Sequence, residues 1–269
     1  MIDNSDGPQL LAIAKQVTAL ASELVRSKTP YILTSKGDRD LTSDVDIAVE
    51  QFVRNFLHEH TPGLGFLGEE SGGTDETDDM RWVLDPVDGT INFIHGLPLC
   101  AVSLSLVKDD STIVGVIDMP FLEAQYYALI NHGSYVKNQR LHVSGTHALN
   151  AALVSIDQYT FGTGSEYINL IRRRLVEHLA PRVQRVRMLG ASSIDLAWTA
   201  HGRLDACIML GNKPWDTSAG VLIAREAGAR VLDLHGANHT MNSSATIAVT
   251  PSLEHALMAA VRGAIADSQ

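Results

Sequence analysis

Cysteine is nearly absent. Cys100 and Cys207 are the only two in 269 residues, both in apolar surroundings, so no disulfide framework is expected and a reducing, cytoplasmic setting is. Positive charge is also scarce: 21 Lys and Arg face 31 Asp and Glu, for a net charge of -10. That balance argues against a nucleic-acid partner, which needs clustered Lys and Arg to displace counterions. A small anion held through metal ions remains compatible with it. No apolar run approaches the roughly 20 residues that span a bilayer, and the opening Met1–Asp6 is acidic where a secretory signal would be basic; no membrane partner is expected. There is no internal repeat, no low-complexity stretch and no G-x-x-x-x-G-K-[ST] loop. The eleven histidines show no metal-ligand spacing. What remains is the composition of an ordinary globular protein, 45% hydrophobic and 19% charged, long enough for one large domain or two closely packed halves.

Against that background one stretch stands out, Trp82 to Phe93. The apolar run Trp82–Leu84 reads as the end of a buried strand, after which Asp85 and Asp88 follow three residues apart. Proline at 86 disfavours helix for the residue before it and supplies no N–H. Asp88-Gly89-Thr90 lets successive backbone N–H groups point one way, as in an anion nest or a helix start. Carboxylates beside an anion cradle repel the anion unless a cation lies between them, which points to a divalent metal with phosphate. Taken alone, Asp-Pro and Asp-Gly pairs are loops far more often than active sites.

The rest of the chain supplies context. Helical spacing from Leu10 to Val25 predicts a helix that ends before Pro30. Lys36–Asp40 reads as a polar loop, either a solvated turn or a lid. A second helix is expected from Ser43, which can cap it, with Asp46 in its first turn. Gly63–Gly68 is a short strand leading into Glu69-Glu70, followed by an acidic, Gly-rich excursion over 72–79. From Leu99 to Val143 the pattern is a β-meander, with turns at Lys108–Ser111, Asn131–Gly133 and Asn138-Gln139. Beyond it, strands near 152–156, 183–188, 205–209, 230–233 and 246–249 alternate with helices near 166–179, 192–200, 217–227 and 253–266, an α/β signature. The pattern divides into 1–145 and 146–269, packed as one unit. Trp215-Asp216 precedes a helix, and as an isolated feature Asp216 is simply a good N-cap.

Glu69-Glu70 after a strand, Asp85-Pro86-Val87-Asp88-Gly89-Thr90 with Asn92-Phe93, and Trp215-Asp216 with Ala219-Gly220 together resemble the inositol monophosphatase family of Mg²⁺-dependent, lithium-sensitive phosphatases. The motifs occur in the family's order, and the likeness runs from Asp40 to the final helix. The resemblance implies a five-layer αβαβα sandwich, commonly a homodimer, acting on a small phosphorylated metabolite. It places metal ligands at Glu69, Asp85, Asp88 and Asp216 and at the Val87 carbonyl, holding two or three Mg²⁺ ions. It pairs Asp46 with Thr90 near the attacking water, and sets the phosphate on the backbone of Gly89 and Thr90. Glu69, Thr90 and Asp46 are thus the expected catalytic residues, with Asp88 and Asp216 also facing substrate. Uncatalysed phosphate monoester hydrolysis is so slow that enzymes supply factors up to about 10²¹, of which general acid–base chemistry typically contributes only about 10²–10⁴. Hard cations on oxygen ligands can supply the remainder.

One position departs from the family pattern. Where inositol-specific members carry a glutamate for ring hydroxyls, this chain has Met209, which accepts no charge-assisted hydrogen bond. Lys213 is placed to meet a second anionic group, and Gly190-Ala191-Ser192 is the expected specificity wall. Histidinol phosphate, fructose 1,6-bisphosphate and 3′-phosphoadenosine nucleotides are therefore alternatives to an inositol or sugar phosphate. A catalytically silent, metal-binding regulatory protein is the alternative of a different class.

Overall fold

The structure, a computed structural model, describes residues 6–30, 33–37, 40–73 and 80–268. Helix α1 (Gly7–Ser27) buries Leu10, Ala14, Val17, Ala21 and Val25, the stripe read from sequence. Strands β1 (Leu33–Gly37) and β2 (Asp40–Ser43) then pair antiparallel. The polar loop expected at Lys36–Asp40 is thus largely strand; polar residues such as Thr34, Ser35 and Thr42 mask the alternation, and Asp38 and Arg39 lie outside the described residues. Helix α2 (Asp44–His60) starts where expected. The Ser43 hydroxyl accepts from the N–H groups of Val45 and Asp46, and the Asp46 carboxylate accepts from Ser43 N–H at 3.0 Å.

The large sheet follows: β3 (Gly65–Gly68), β4 (Gly72–Gly73), β5 (Met80–Asp88), then, after the short helix α3 (Thr90–Ile94), β6 (Ala101–Lys108), β7 (Ser111–Met119), β8 (Ala124–Leu129), β9 (Ser134–Val136) and β10 (Gln139–Arg140). Its order is β10-β9-β8-β7-β6-β5-β3-β4, antiparallel except for the β3–β5 pair. Two expectations shift. Strand β5 does not stop near Leu84 but runs to Asp88, with its register against β6 broken between Asp85 and Asp88, where Pro86 has no N–H to give the ladder. The last hairpin turns at Lys137-Asn138, both at positive φ, so Gln139 already belongs to β10. Of the expected excursion after Glu70, residues 74–79 lie outside the described residues.

A second sheet uses β11 (Leu153–Ile156), β12 (Arg185–Arg187), β13 (Ala206–Leu210), β14 (Arg230–Leu232) and β15 (Ala245–Val249) in the order β12-β11-β13-β15-β14. Between these strands lie α4 (Ser165–Leu179), α5 (Ser192–Ala200) and α6 (Pro214–Glu226), and α7 (Glu254–Ala266) closes the chain. Helix α6 begins three residues earlier than expected because Pro214 serves as its first residue, which puts Asp216 inside the first turn rather than at the cap.

The layers stack as the resemblance implies. Val17, Val49 and Val53 of α1 and α2 cover Leu84, Leu104 and Val116 on one face of the large sheet. Helices α5 and α6 fill the space between the sheets, with Ile194, Leu196 and Ile223 against Ile117 and Met119 on one side and Cys207 and Ala248 on the other. Helices α4 and α7 cover the outer face of the second sheet through Leu175, Leu257 and Val261. The alternation of β6 reads out this arrangement: Val102, Leu104 and Leu106 face the outer helices, while Ser103 and Ser105 are small on the opposite face. Helix α6 comes so close there that a Cβ at Gly115 would stand 2.8 Å from the Ala219 carbonyl oxygen. No helix among the described residues is long and apolar enough to cross a membrane.

Two outcomes are expected. Gly115→Ala forces the α6 backbone away from β7 and should cost about 1–3 kcal/mol in urea unfolding; an unchanged midpoint would show that the helix yields freely. His239 is buried, its Nε2 lying 2.9 Å from the Thr246 hydroxyl. Burial, aided by the Arg225 charge, lowers its pKa from 6.5 to about 4. Within that window the unfolded chain binds a proton that the folded chain refuses, so this residue removes stability as pH falls from 6.5 towards 4. Buried carboxylates act in the opposite sense, so the readout is a difference. His239→Gln should flatten the acid-side loss of stability relative to the parent, and parallel curves would contradict the assignment.

Candidate active site

The site is built at the bulged end of β5. Asp85 and Asp88 are 3% and 9% exposed, and the bulge turns both towards the same end of the sheet. Val87 N–H donates to Asp85 Oδ1 at 3.1 Å, which fixes the first carboxylate against its own turn. Gly89 then takes φ +86, and a Cβ there would lie 2.7 Å from the Leu99 carbonyl oxygen, so only glycine passes. Thr90 opens α3. Its hydroxyl lies 3.0 Å from Asp46 Oδ1 and 3.0 Å from the Val87 carbonyl oxygen, either of which can accept its proton.

Two further acids arrive from elsewhere. Glu69 is the first residue beyond β3; its N–H donates to the Leu84 carbonyl at 3.1 Å and its side chain hydrogen-bonds Asp85. Asp216 comes from the first turn of α6, where it accepts the Lys213 N–H at 2.6 Å. Asp88 joins the two halves of the chain: its Oδ2 accepts Ser193 N–H at 2.7 Å and the Ser193 hydroxyl, and its Oδ1 accepts Ser192 N–H at 3.2 Å. A strand of the large sheet thereby caps the first turn of α5.

So many acids in so little water raise one another. Asp85 is held well above the usual carboxylate range by burial, then by the charges of Glu69, Asp88 and Asp216. Asp216 is pushed up to about 7, chiefly by burial, against the Lys213 N–H bond that favours its charge. Burial is also the main influence on Asp46 and Asp88, each raised and partly restored by its hydrogen bonds from serine and threonine. Among the described residues no three His, Cys, Asp or Glu side chains stand as a ready ion shell; the acids are turned onto one another and onto neighbouring N–H groups. The donor set nevertheless fits a hard divalent cation: oxygen ligands only, from four carboxylates whose repulsion such an ion would relieve. Neither cysteine competes, since burial raises both thiols to about 12.

A cavity of about 170 Å³ opens beside these groups. Glu69, Asp88, Gly89 and Thr90 form one wall; Gln158, Gly190, Ala191, Ser192 and Asp195 form the other. Met209 does not take part: it is 1% exposed and packs in the core between α5, α6 and the second sheet. Lys213 also lies outside the lining, at the cap of α6. Sequence reasoning missed Asp157, Gln158, Ser193 and Asp195. Asp195 is fully buried, with its Oδ1 unpaired, and its pKa is raised well above normal by desolvation. In sequence it is only an acid in the first turn of a helix, a common pattern with a sufficient local explanation. Asp157 is held by Arg172, 1% exposed, whose guanidinium also reaches Thr160, Asn169 and the Leu210 carbonyl.

Comparison with known proteins places this geometry. The model of the inositol monophosphatase family matches residues 7–266. The chain belongs to that family. Inositol monophosphatase 1 of Solanum lycopersicum is 31% identical over 271 residues, covering 97% of this chain and 98% of that protein. An inositol-1-monophosphatase of Mesorhizobium japonicum is 34% identical over 228 residues, covering 84% and 85%. Among solved structures, the extragenic suppressor protein suhB of Bartonella henselae superposes with a TM-score of 0.88 at 28% identity, covering 94% of this chain and 98% of that one. This inositol monophosphatase family member is accordingly a phosphoric monoester hydrolase with the family's α/β sandwich, and membership points to a divalent metal cofactor.

Replacing one member of the Asp157–Arg172 pair tests the cavity wall. Arg172→Met leaves Asp157 uncompensated and should cost about 3–5 kcal/mol, measured by urea unfolding. Asp157→Asn leaves the more deeply buried Arg172 charge without its carboxylate, although Thr160, Asn169 and the Leu210 carbonyl still accept from it, and should cost a comparable amount; a loss below about 1 kcal/mol in both variants would show that the ion pair contributes little.

Proposed function

We propose that this chain is a Mg²⁺-dependent phosphatase that hydrolyses the monoester of a small, hydroxyl-bearing alcohol by direct attack of water. The supporting observation is the convergence of Glu69, Asp85, Asp88 and Asp216, from three separate stretches of chain, on the Thr90–Asp46 pair at the mouth of the cavity. In this reading the four carboxylates and the Val87 carbonyl hold the metal. Bound Mg²⁺ supplies charge neutralisation at the phosphoryl oxygens and a lowered pKa for water. Thr90, its hydroxyl donating a hydrogen bond to Asp46 or the Val87 carbonyl, accepts a hydrogen bond from the attacking water, and Glu69 would take the proton that this water gives up. As the new P–O bond forms in line, the ester P–O bond breaks and the alcohol oxygen leaves on the far side, towards Asp88 and Asp216, taking up a proton from solvent water, while the proton held by Glu69 returns to solvent. The Gly89 and Thr90 amides face the phosphate. No covalent phosphoenzyme is required.

The alcohol side distinguishes the substrates. No Lys, Arg or His lines the cavity among the described residues. Gln158, Ser192 and Asp195 offer hydrogen bonds rather than positive charge. This favours a substrate with hydroxyl groups near the ester over a bisphosphate or nucleotide whose second anion would need a cation. The silent regulatory alternative has no comparable support, because ion binding alone needs no Thr90–Asp46 pair.

Phosphate release from a panel of phosphorylated polyols, sugars, histidinol phosphate, fructose 1,6-bisphosphate and 3′-phosphoadenosine nucleotides, with and without Mg²⁺, checks the reading. Turnover should require the metal, with the highest kcat/KM on a polyol monophosphate. Asp88→Asn and Asp216→Asn should each lower kcat by at least about 100-fold, the scale of losing one preorganised charge-stabilising group. Near-normal turnover in both would remove the ligand assignment.

A further inference from the structure

Glu69 leaves β3 on the turn Glu69–Ser71, which packs against α2. On its outer side lies a cavity of about 480 Å³, lined by Ile47, Glu50, Arg54 and the Glu69–Ser71 turn itself. What supports the turn is a carboxylate from α2. Glu50 is 4% exposed; its Oε2 accepts Glu70 N–H at 2.9 Å, and its Oε1 accepts Ser71 N–H at 3.0 Å as well as the Ser71 hydroxyl. Arg54, one helical turn on, lies 3.7 Å from Glu50 and donates to Ser71. With Glu69 N–H on the Leu84 carbonyl at 3.1 Å, three successive backbone donors are satisfied in a row. Two of them go to this one side chain. The carboxylate lies directly over Gly68, where a Cβ would meet Glu50 Oε2 at 2.3 Å. Gly68 has an ordinary φ, so the missing side chain is explained by this close approach and not by backbone strain.

We propose that Glu50, seated over Gly68, is a positioning residue that aims the Glu69 carboxylate at Asp85 and thereby sets the affinity of the site for its divalent ion. The inference rests on the reading of Glu69 and Asp85 as ligands. Glu50 touches neither ion nor substrate; its effect passes through the two N–H groups it fixes. Partners of metal ligands typically alter affinity by 10–100-fold when removed, because an unrestrained ligand must be ordered again each time the ion binds.

The test measures Mg²⁺ binding to the full chain by titration calorimetry, alongside thermal stability, the Mg²⁺ dependence of turnover, and amide exchange at Glu70 and Ser71. Glu50→Ala should weaken Mg²⁺ binding by roughly 10–100-fold, with the activity loss recovered as Mg²⁺ is raised and with faster exchange at both amides. Gly68→Ala, which pushes the carboxylate off its seat, should do the same, and the double variant should be no worse than Glu50→Ala alone. Glu50→Gln keeps one acceptor oxygen and should fall between parent and alanine variant. Should Glu50→Ala fail to fold, Gly68→Ala and Glu50→Gln decide the matter. Parental Mg²⁺ affinity in the folded variants, or a loss confined to kcat at saturating Mg²⁺, overturns the inference while leaving the ligand assignment intact. Failure of the parent chain itself to bind Mg²⁺ overturns the ligand assignment and this inference with it.

Discussion

Electrostatic repulsion among carboxylates is the constraint around which this molecule is arranged. Asp85 sits almost fully out of water with Glu69, Asp88 and Asp216 all acting to raise its pKa. Such an assembly is costly in the folded chain, since each buried negative charge adds to the desolvation of the next. It is held by local hydrogen bonds that favour the ionised form one acid at a time: the Lys213 N–H for Asp216, the Ser193 groups for Asp88, the Ser43 and Thr90 groups for Asp46. The remaining imbalance is of the kind that a divalent cation removes, which is how a donor set of this composition comes to belong with a phosphatase.

One of those sets of hydrogen bonds, from Ser193 to Asp88, joins the large sheet to α5. Asp88 ends a strand of the large sheet and caps α5, which packs against the second sheet. Asp216 starts α6, whose flank meets β7 closely enough to exclude a Cβ at Gly115. The acids therefore cluster where the central helical layer meets the large sheet. Glycines at 68, 89 and 115 mark three places where backbone or carboxylate must come nearer than a side chain permits.

Sequence made the cluster of acids legible because its groups lie in short contiguous motifs. A β-strand followed by Asp-Pro-Val-Asp-Gly-Thr states its own local geometry, and the family resemblance assembled the motifs into one site. The strand boundary at Leu84 came out short because Pro86 looks like a terminator, whereas it sits within a bulge that keeps β5 going to Asp88. Lys36–Asp40 has the sequence of a loop although it includes the facing ends of β1 and β2, because polar strands carry no apolar period. Glu50 did leave a signal: it falls on the buried stripe of α2 with Val49, Val53 and Leu57, where an acid needs a partner. Its partners lie twenty and twenty-one residues on, beyond any local pattern.

On the other wall, Gly190, Ala191 and Ser192 line the cavity as expected, whereas Met209 and Lys213 do not. Met209 occupies the position where the family resemblance predicts a hydroxyl ligand, yet its side chain is folded into the apolar layer between α5, α6 and the second sheet. The wall that faces Thr90 is built from the ends of β11 and α5, with Asp157 neutralised by Arg172 from α4. Groups brought together from 157–158 and 190–195 have no shared sequence signature, since their proximity depends on how α4 and α5 pack on the second sheet. The two walls of the cavity are thus encoded differently: one in short contiguous motifs, the other in the packing of a separate sheet. Met209 belongs to that packing rather than to the cavity surface, so its identity acts on the wall only through the apolar layer it fills.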